Sequence, residues 1–218
     1  MRTSIRSWLP GLALAVSLPA GATIYGGVEF PGGAASFADD VVSYTVGTGG
    51  VGAAYMGTAN ALDIPDYAGA SCASVAACTF VSLGSGGTLV TRFTDNVLTG
   101  SDSSAFDLWI FEIGPDVEDT FVAVSEDGVV WNEVGKVTGG TRGIDLDAFG
   151  FGSSSAFAYV RLIDDRNEGG TTGATAGADI DAVGAISTTV LNRVDAPSTA
   201  ALLPLALLGL LLSSRRRR

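Results

Sequence analysis

Acidic residues lie at the ends of short apolar segments in this 218-residue chain. Asp107 and Glu112 flank an apolar run, and Asp179 and Asp181 lie two residues apart in GADIDAVGAI. On a strand, Asp179 and Asp181 would point to one face and repel each other unless a cation screened both. Ca²⁺ binds about six to eight oxygen ligands, which carboxylates and loop carbonyls provide. We therefore predict a Ca²⁺ site with Asp107, Glu112, Asp179 and Asp181 as ligands.

Two other interpretations of these acidic residues stay open. They are solvated turn residues or partners of Arg161 and Arg166, or two of them form the carboxylate pair of a glycosidase, which needs a separation of about 5 to 10 Å. No isolated Glu occurs in an aromatic-rich pattern typical of a sugar cleft, and Glu112 suits a metal ligand or a buried hydrogen bond equally well. We favour a protein without catalytic activity over a hydrolase of extracellular polysaccharide.

The chain contains no histidine. This absence excludes a Ser-His-Asp triad, a Cys-His pair and histidine-ligated zinc. The glycine-rich stretches VGTGGVG and LGSGG lack a following Lys-Ser or Lys-Thr, so they are predicted to be turns and not phosphate-binding loops.

Both cysteines, Cys72 and Cys78, lie in the short stretch SCASVAACTF. In an exported protein such a pair closes a local disulfide, which is our prediction. A redox role is disfavoured because the stretch has neither CxxC spacing nor a nearby Lys or Arg.

The middle of the chain predicts an all-β fold. Its apolar segments are short, are separated by Gly-rich or Asp-rich turns and lack a long 3.6-residue period. We predict a single jelly-roll-like β-sandwich over residues 23–190. The predicted strands are Val41–Val46, Thr79–Leu83, Thr88–Thr94, Asp107–Ile113, Phe121–Ser125, Val129–Val134, Ala156–Ile163 and Ile180–Ile186.

The apolar run of DLWIFEIG is nearly continuous, which is typical of a central strand covered on both faces. Alternation along a strand then places Trp109 and Phe111 on one face and Leu108 and Ile110 on the other.

The stretch from Phe121 to Val134 predicts a β-hairpin. Asp127-Gly128 supplies the dipeptide that tolerates positive φ in a tight turn. The stretch VSEDGVVWNEVG resembles the hairpin of discoidin-like and carbohydrate-binding β-sandwiches. That resemblance implies that Trp131 is a packed core aromatic, with a sugar-binding platform as the alternative.

The N-terminus has the order of a secretory signal peptide. Arg2 and Arg6 precede an apolar run from Trp8 to Leu18, and the small residues Ala20-Gly21-Ala22 follow. We predict a signal peptide over residues 1–22, with cleavage after Ala22 by signal peptidase. The mature chain is therefore expected to be exported.

The C-terminal segment, residues 191–218, is too short for an ordinary membrane anchor. Its apolar stretch, Ala200–Leu212, has 13 residues, whereas a helix needs about 20 to span a bilayer. Four terminal arginines, Arg215–Arg218, favour retention of the end on the cytoplasmic side. We predict transient insertion in the inner membrane before processing, with a permanent short anchor as the alternative.

The layout of a short Pro-containing motif, an apolar helix and an arginine cluster resembles the PEP-CTERM sorting signal of Gram-negative bacteria. The usual Pro-Glu-Pro is replaced by Asp195-Ala196-Pro197, and Ser198-Thr199 follow as in many members. This resemblance implies processing by an exosortase-type enzyme. It also implies a final location at the cell surface or in the extracellular matrix.

A wider resemblance extends over the mature chain. The stretches FADDVVSYTVGTG, FVSLGSGGTLVTRFTDN, DLWIFEIG, VSEDGVVWNEVG, YVRLIDD and GADIDAVGAI occur in this order. In this order, the stretches resemble those of bacterial surface β-sandwich proteins that carry PEP-CTERM tails. The resemblance implies a fold and an extracellular setting, and it implies no particular reaction.

Charge narrows the range of partners. Arg2, Arg6 and Arg215–Arg218 are six of the 12 basic residues, so six basic residues face 23 acidic ones over residues 7–214, a formal charge of −17. Such a surface repels phosphate backbones, and nucleic acid is not a predicted partner. We predict a Ca²⁺-stabilised, non-catalytic surface or biofilm-matrix module that binds exopolysaccharide or surface glycans. A purely structural matrix protein is an alternative.

Overall fold

The computed structural model describes residues 21–69, 71–114 and 118–190. In these ranges every strand pairing is antiparallel. The strands are β1 (Thr23–Tyr25), β2 (Val28–Phe30), β3 (Asp40–Thr45), β4 (Val81–Ser82), β5 (Thr88–Arg92), β6 (Asn96–Leu98), β7 (Leu108–Glu112), β8 (Asp119–Ser125), β9 (Asn132–Thr138), β10 (Arg142–Ile144), β11 (Tyr159–Asp164), β12 (Asp179–Ala185) and β13 (Thr188–Val190).

Two larger sheets pack face to face. One has the strand order β10-β7-β12-β4 and the other β3-β5-β11-β8-β9, while β1-β2 and β13-β6 form two small ribbons. One apolar cluster joins both sheets, and its buried members include Ile110, Ile180, Leu89, Val124 and Leu162. Because each sheet buries one face against the other, the prediction of an all-β, jelly-roll-like sandwich is confirmed.

Each of the eight predicted strands corresponds to a strand of the two large sheets, with bounds that differ by a few residues. Five strands were not predicted, namely β1, β2, β6, β10 and β13. Each has three residues, which is too short for an alternating pattern to stand out from the loops.

Strand β7 is covered on both faces, as its sequence predicts. Leu108 and Ile110 belong to the main core, while Phe111 belongs to a second cluster on the other face, with Trp109 packed against it. The N-terminal ribbon forms this second cluster. The Phe30 ring centroid lies 5.9 Å from that of Phe111 and 4.6 Å from that of Phe37.

The predicted β8–β9 hairpin is present, but its connection is longer than the predicted tight turn. Residues 126–131 join the strands, because β9 begins only at Asn132. The Asp127 side chain explains the wider loop, since its Oδ1 accepts hydrogen bonds from the backbone amides of Val129 (2.8 Å) and Val130 (2.9 Å). Such bonds hold the backbone in a turn and compete with strand pairing.

Trp131 does not belong to the core, which corrects the prediction from the hairpin resemblance. It is half-buried, and the Arg161 guanidinium carbon lies 4.4 Å from the centroid of its ring. Arg161 alternates with the core residues Val160 and Leu162, so it points outward. Trp131 therefore lies on the outer face of the five-stranded sheet, where Arg161 also pairs with Glu133 at 2.9 Å.

The long connection between β3 and β4 carries three of the short 3₁₀ turns: Ala53–Tyr55, Thr58–Ala61 and Val75–Ala77. A disulfide joins Cys72 and Cys78 across the last of them. The Asn60 side-chain amide donates 3.4 Å hydrogen bonds to the carbonyl oxygens of Val75 and Phe80. These links hold the connection against the edge strand β4.

Most of the predicted signal peptide, the sorting motif and the apolar C-terminal segment lie outside the described residues. Across the described ranges, no helix combines the length and apolar character needed to cross a bilayer.

Two isoleucines test the position of the core. Ile110 is 0% exposed and Ile24 is 69% exposed. Ile110→Ala is expected to lower the free energy of unfolding by about 2 to 5 kcal/mol, because it leaves a cavity between the sheets. Ile24→Ala should change it by less than about 0.5 kcal/mol. Denaturant unfolding measures both values, and equal effects would contradict the assigned packing.

Candidate functional site

An open cleft of about 480 Å³ lies at the C-terminal end of β7. Glu112 and Gly114 come from this end of the strand, Asp181 from the neighbouring β12 and Tyr67 from the long β3–β4 connection. The turn between β1 and β2 approaches closely at Gly26, where a Cβ would lie 2.5 Å from the Phe111 ring. With Thr141 from the loop before β10, five separate segments build the cleft.

A smaller cleft of about 190 Å³ adjoins the first. It is lined by Tyr55, Phe80 and Asp179, among others, and Tyr67 and Gly114 line both clefts. Tyr67 is therefore the aromatic side chain at the junction of the two spaces.

Three aromatic rings form one wall. Tyr67 is 39% exposed, and its ring meets Phe80 edge to face at 5.7 Å between centroids. Tyr55 packs against the same Phe80 ring at 5.5 Å. Because buried Phe80 supports both tyrosines, the exposed Tyr67 ring is held in a fixed orientation.

Asp181 fixes the loop that carries Tyr67. Its two carboxylate oxygens accept hydrogen bonds from the backbone amides of Asp66 and Tyr67, each at 3.3 Å. The β7–β12 ladder shifts register between Ile180 and Ala182, so Asp181 is the extra residue of a β-bulge. Burial raises the pKa of Asp181 to about 6, and the two amide hydrogen bonds oppose this rise.

Asp179 lies on the same strand before the bulge. The Ser82 hydroxyl donates a hydrogen bond to its Oδ1. Burial raises the pKa of Asp179 to about 7, an effect that the Ser82 hydrogen bond opposes and that the charges of Glu118 and Asp164 strengthen.

Glu112 is the most perturbed carboxyl group of the cleft. It is 5% exposed, and its Oε2 has no hydrogen-bond partner among the described residues. Burial raises the pKa of Glu112 to about 9, and the charges of Glu118, Asp179, Asp164 and Asp119 add to this effect. At neutral pH the group is therefore a neutral carboxylic acid, which both donates and accepts hydrogen bonds.

The structure separates Asp107 from the other three predicted Ca²⁺ ligands. Asp107 and Glu112 lie five residues apart at opposite ends of β7, a distance of about 16 Å in an extended strand. They do not share one ion. Asp107 is instead grouped with Asp145 and Asp147. The bulge also breaks the simple alternation that predicted a common face for Asp179 and Asp181.

The residues that complete the clefts were not predicted. The sequence disfavoured a sugar cleft because no isolated Glu occurs in an aromatic-rich pattern, yet Tyr67 lines the same cleft as Glu112 and its neighbour Phe111. Tyr67 comes from a distant connection, so spacing in sequence carries no sign of this contact. The only local signal is that Tyr55 and Tyr67 stand out as aromatic residues in a Gly- and Ala-rich stretch.

The arrangement offers two kinds of contact in one concavity. An exposed aromatic ring can stack on an apolar face of a small molecule, and carboxyl groups beside it can hydrogen-bond polar substituents.

No family model matches the chain, and no curated protein matches it. Among solved structures, the chain is similar to the C-terminal domain of a chitobiase from Bacteroides fragilis, with 16% identity and a TM-score of 0.40, over 70% of this chain and 95% of that one. It is also similar to CpGH89CBM32-6 of Clostridium perfringens, with 10% identity and a TM-score of 0.32, over 50% and 74% of the two chains. At these TM-scores the likeness carries no argument about the site.

The raised carboxyl pKa values predict a pH dependence of stability. A group whose pKa is higher in the folded state stabilises the fold below its unfolded pKa, 4.5 for Glu112, and this contribution is lost as the pH rises through the folded value of about 9. Between about pH 5 and pH 9 the wild-type protein in EDTA should therefore lose on the order of 1 kcal/mol per pH unit from this group.

Glu112→Gln should flatten the dependence, whereas the same change at exposed Glu126 should leave it as in the wild type. Thermal melts over this pH range measure the slope. Equal slopes for the wild type and Glu112→Gln would show that Glu112 is ionised in the folded protein.

Proposed function

We propose that this protein is a non-catalytic glycan-binding module, and that the two adjoining clefts around Tyr67 hold the glycan. The observation that carries the proposal is the exposed Tyr67 ring beside the buried, unpartnered carboxyl oxygen of Glu112. A pyranose ring has an apolar C–H face that stacks on an aromatic ring, and its hydroxyl groups satisfy the polar atoms at the rim.

The unpartnered oxygen supports a hydroxyl-bearing ligand in particular. A buried polar atom without a hydrogen bond costs about 1 to 3 kcal/mol. A ligand hydroxyl that reaches Glu112 Oε2 regains this energy on binding, while a wholly apolar ligand does not. The two joined clefts also suit more than one sugar ring, since Tyr67 borders both spaces.

Charge favours glycans without acidic groups. Asp66 and Asp181 line the larger cleft, and the chain as a whole has a formal charge of −11. A uronic acid or sulfated sugar would meet repulsion at close range. Neutral hexoses and hexosamines would not.

The setting of this function is part of the proposal. The N-terminal pattern supports export, and the C-terminal layout supports sorting by an exosortase-type enzyme to the cell surface or matrix of a Gram-negative bacterium. A surface module that binds neutral polysaccharide would attach its cell to the surrounding matrix.

A carboxylate-dependent glycoside hydrolase is the second candidate. Its specific support is the unequal pKa values of Glu112, about 9, and Asp181, about 6, because glycosidases pair a protonated acid with an ionised carboxylate. Incubation of the purified protein with neutral oligosaccharides distinguishes the two candidates. Release of reducing ends that Glu112→Gln abolishes would establish the hydrolase, and full recovery of intact oligosaccharide supports a binding module.

Tyr67→Ala tests the binding proposal. Purified full-length protein is applied to an array of neutral and acidic oligosaccharides, and the affinity of any neutral hit is measured by calorimetry. Tyr67→Ala should weaken binding by about tenfold, since an aromatic contact contributes about 0.5 to 1.5 kcal/mol beyond the area that it buries. Tyr67→Phe should retain most of the affinity, because it keeps the ring.

Trp131→Ala is the matched control for loss of an aromatic side chain, because Trp131 lies on the outer face of the other sheet. It should bind like the wild type. Loss of binding with Trp131→Ala and not with Tyr67→Ala would move the glycan site away from the clefts, and an array without any hit would refute glycan binding.

A further inference from the structure

We propose that Asp107, Asp145 and Asp147 form a binding site for a hard divalent cation, with Ca²⁺ as the best fit. One carboxylate oxygen from each residue lies within 4.8 Å of the others. The site is at the opposite end of β7 from the clefts, and it is independent of the proposed glycan binding.

The β7–β10 pairing brings the first two carboxylates together. Ile144 pairs with Leu108 in the ladder, and the Asp107 amide donates a 2.8 Å hydrogen bond to the Ile144 carbonyl. Asp145 is the next residue after Ile144, so it lies across from Asp107. The carboxylates of Asp107 and Asp145 repel each other when they lie across from one another, and the β7–β10 pairing itself does not require acidic residues at these two positions.

A short 3₁₀ turn, Asp147–Phe149, adds the third carboxylate. Leu146 lies between the two acidic residues of this loop, and its fully buried side chain anchors the loop in the core. Its backbone amide also donates a 2.9 Å hydrogen bond to Asp107 Oδ2. The position of the loop relative to Asp107 is therefore set by the fold.

The second oxygen of Asp107 is what distinguishes this group from an ordinary acidic surface. Asp107 is 0% exposed, and its Oδ1 is buried without a hydrogen-bond partner among the described residues. A buried carboxylate oxygen without a donor is the arrangement that a metal ion resolves.

In the described ranges, no Lys or Arg side chain forms an ion pair with Asp107, Asp145 or Asp147. The ion pairs found there use other acidic residues, namely Asp40, Asp119, Glu133 and Asp165. Three carboxylates without a basic partner match the preference of Ca²⁺ for several oxygen ligands in irregular geometry, with water in the remaining positions.

A bound ion would join several segments at this end of the sandwich. Asp147 Oδ2 already accepts hydrogen bonds from the Ser101 amide (2.9 Å) and hydroxyl (3.4 Å). The Ile186 amide donates a 2.7 Å hydrogen bond to the Asp107 carbonyl. The ion would therefore stabilise the loop before β7, the loop after β10 and the end of β12 together.

Calcium titration of the purified full-length protein, stripped of metal with EDTA, tests the site. Calorimetry gives the affinity and thermal melting gives the stabilisation, since an ion that binds the folded state raises the melting temperature. Asp145→Asn and Asp147→Asn are preferred to a change at Asp107, because both side chains are only half-buried. Each variant should weaken Ca²⁺ binding by at least about tenfold and reduce the rise in melting temperature.

Two further variants locate the ion. Glu126→Gln removes one exposed negative charge elsewhere and should bind Ca²⁺ like the wild type. Asp179→Asn should also retain binding, because Asp179 belongs to the clefts at the other end of β7. Loss of Ca²⁺ binding in Asp179→Asn but not in Asp145→Asn would overturn the assignment. Absence of any heat or melting shift at about 10 mM Ca²⁺, above the affinity range of extracellular calcium modules, would refute the site.

Discussion

The burial of strand β7 on both faces is the constraint on which the rest of the structure depends. Leu108 and Ile110 fill the core between the sheets, and Phe111 packs under the N-terminal ribbon on the other side. Because both faces of β7 are covered, the residues at its two ends are also largely removed from water. Asp107 and Glu112, at its two ends, therefore enter surroundings of low dielectric, where an ionised carboxylate is costly without a partner.

The two ends resolve this cost differently. At the Glu112 end, burial and neighbouring carboxylates raise the pKa far enough to keep the group neutral, and an open cleft with an aromatic wall lies beside it. At the Asp107 end, two more carboxylates come within reach of one another without a basic partner among the described ion pairs. The first environment suits a ligand that offers hydroxyl groups, and the second suits a cation. One buried strand thus accounts for both proposed sites.

Much of the sandwich could be predicted from the sequence, because β7 and the other long strands carry a clear apolar pattern. The three-residue strands could not, since they lack a period. The two proposed sites were harder to predict from the sequence than the strands. Asp107 and Glu112 are recognisable in the sequence as acidic residues at strand ends. They lie at opposite ends of β7, however, and therefore do not share one ion. Tyr67 reaches Glu112 only through the fold of a long connection, and Asp145 meets Asp107 only through β10. Trp131 was misplaced because the Asp127 turn delays the start of β9.

The central claim is that the clefts around Tyr67 and Glu112 bind a neutral glycan. Nuclear magnetic resonance of protein labelled with ¹³C at Asp and Glu side-chain carboxyl groups tests it most directly, with the protein titrated with neutral oligosaccharides. Glycan binding in these clefts should shift the Glu112 and Asp181 signals together until they saturate, while the signal of Glu133, beside Trp131 and Arg161 on the other sheet, should stay unchanged. A shift of Glu133 with Glu112 unperturbed would contradict it.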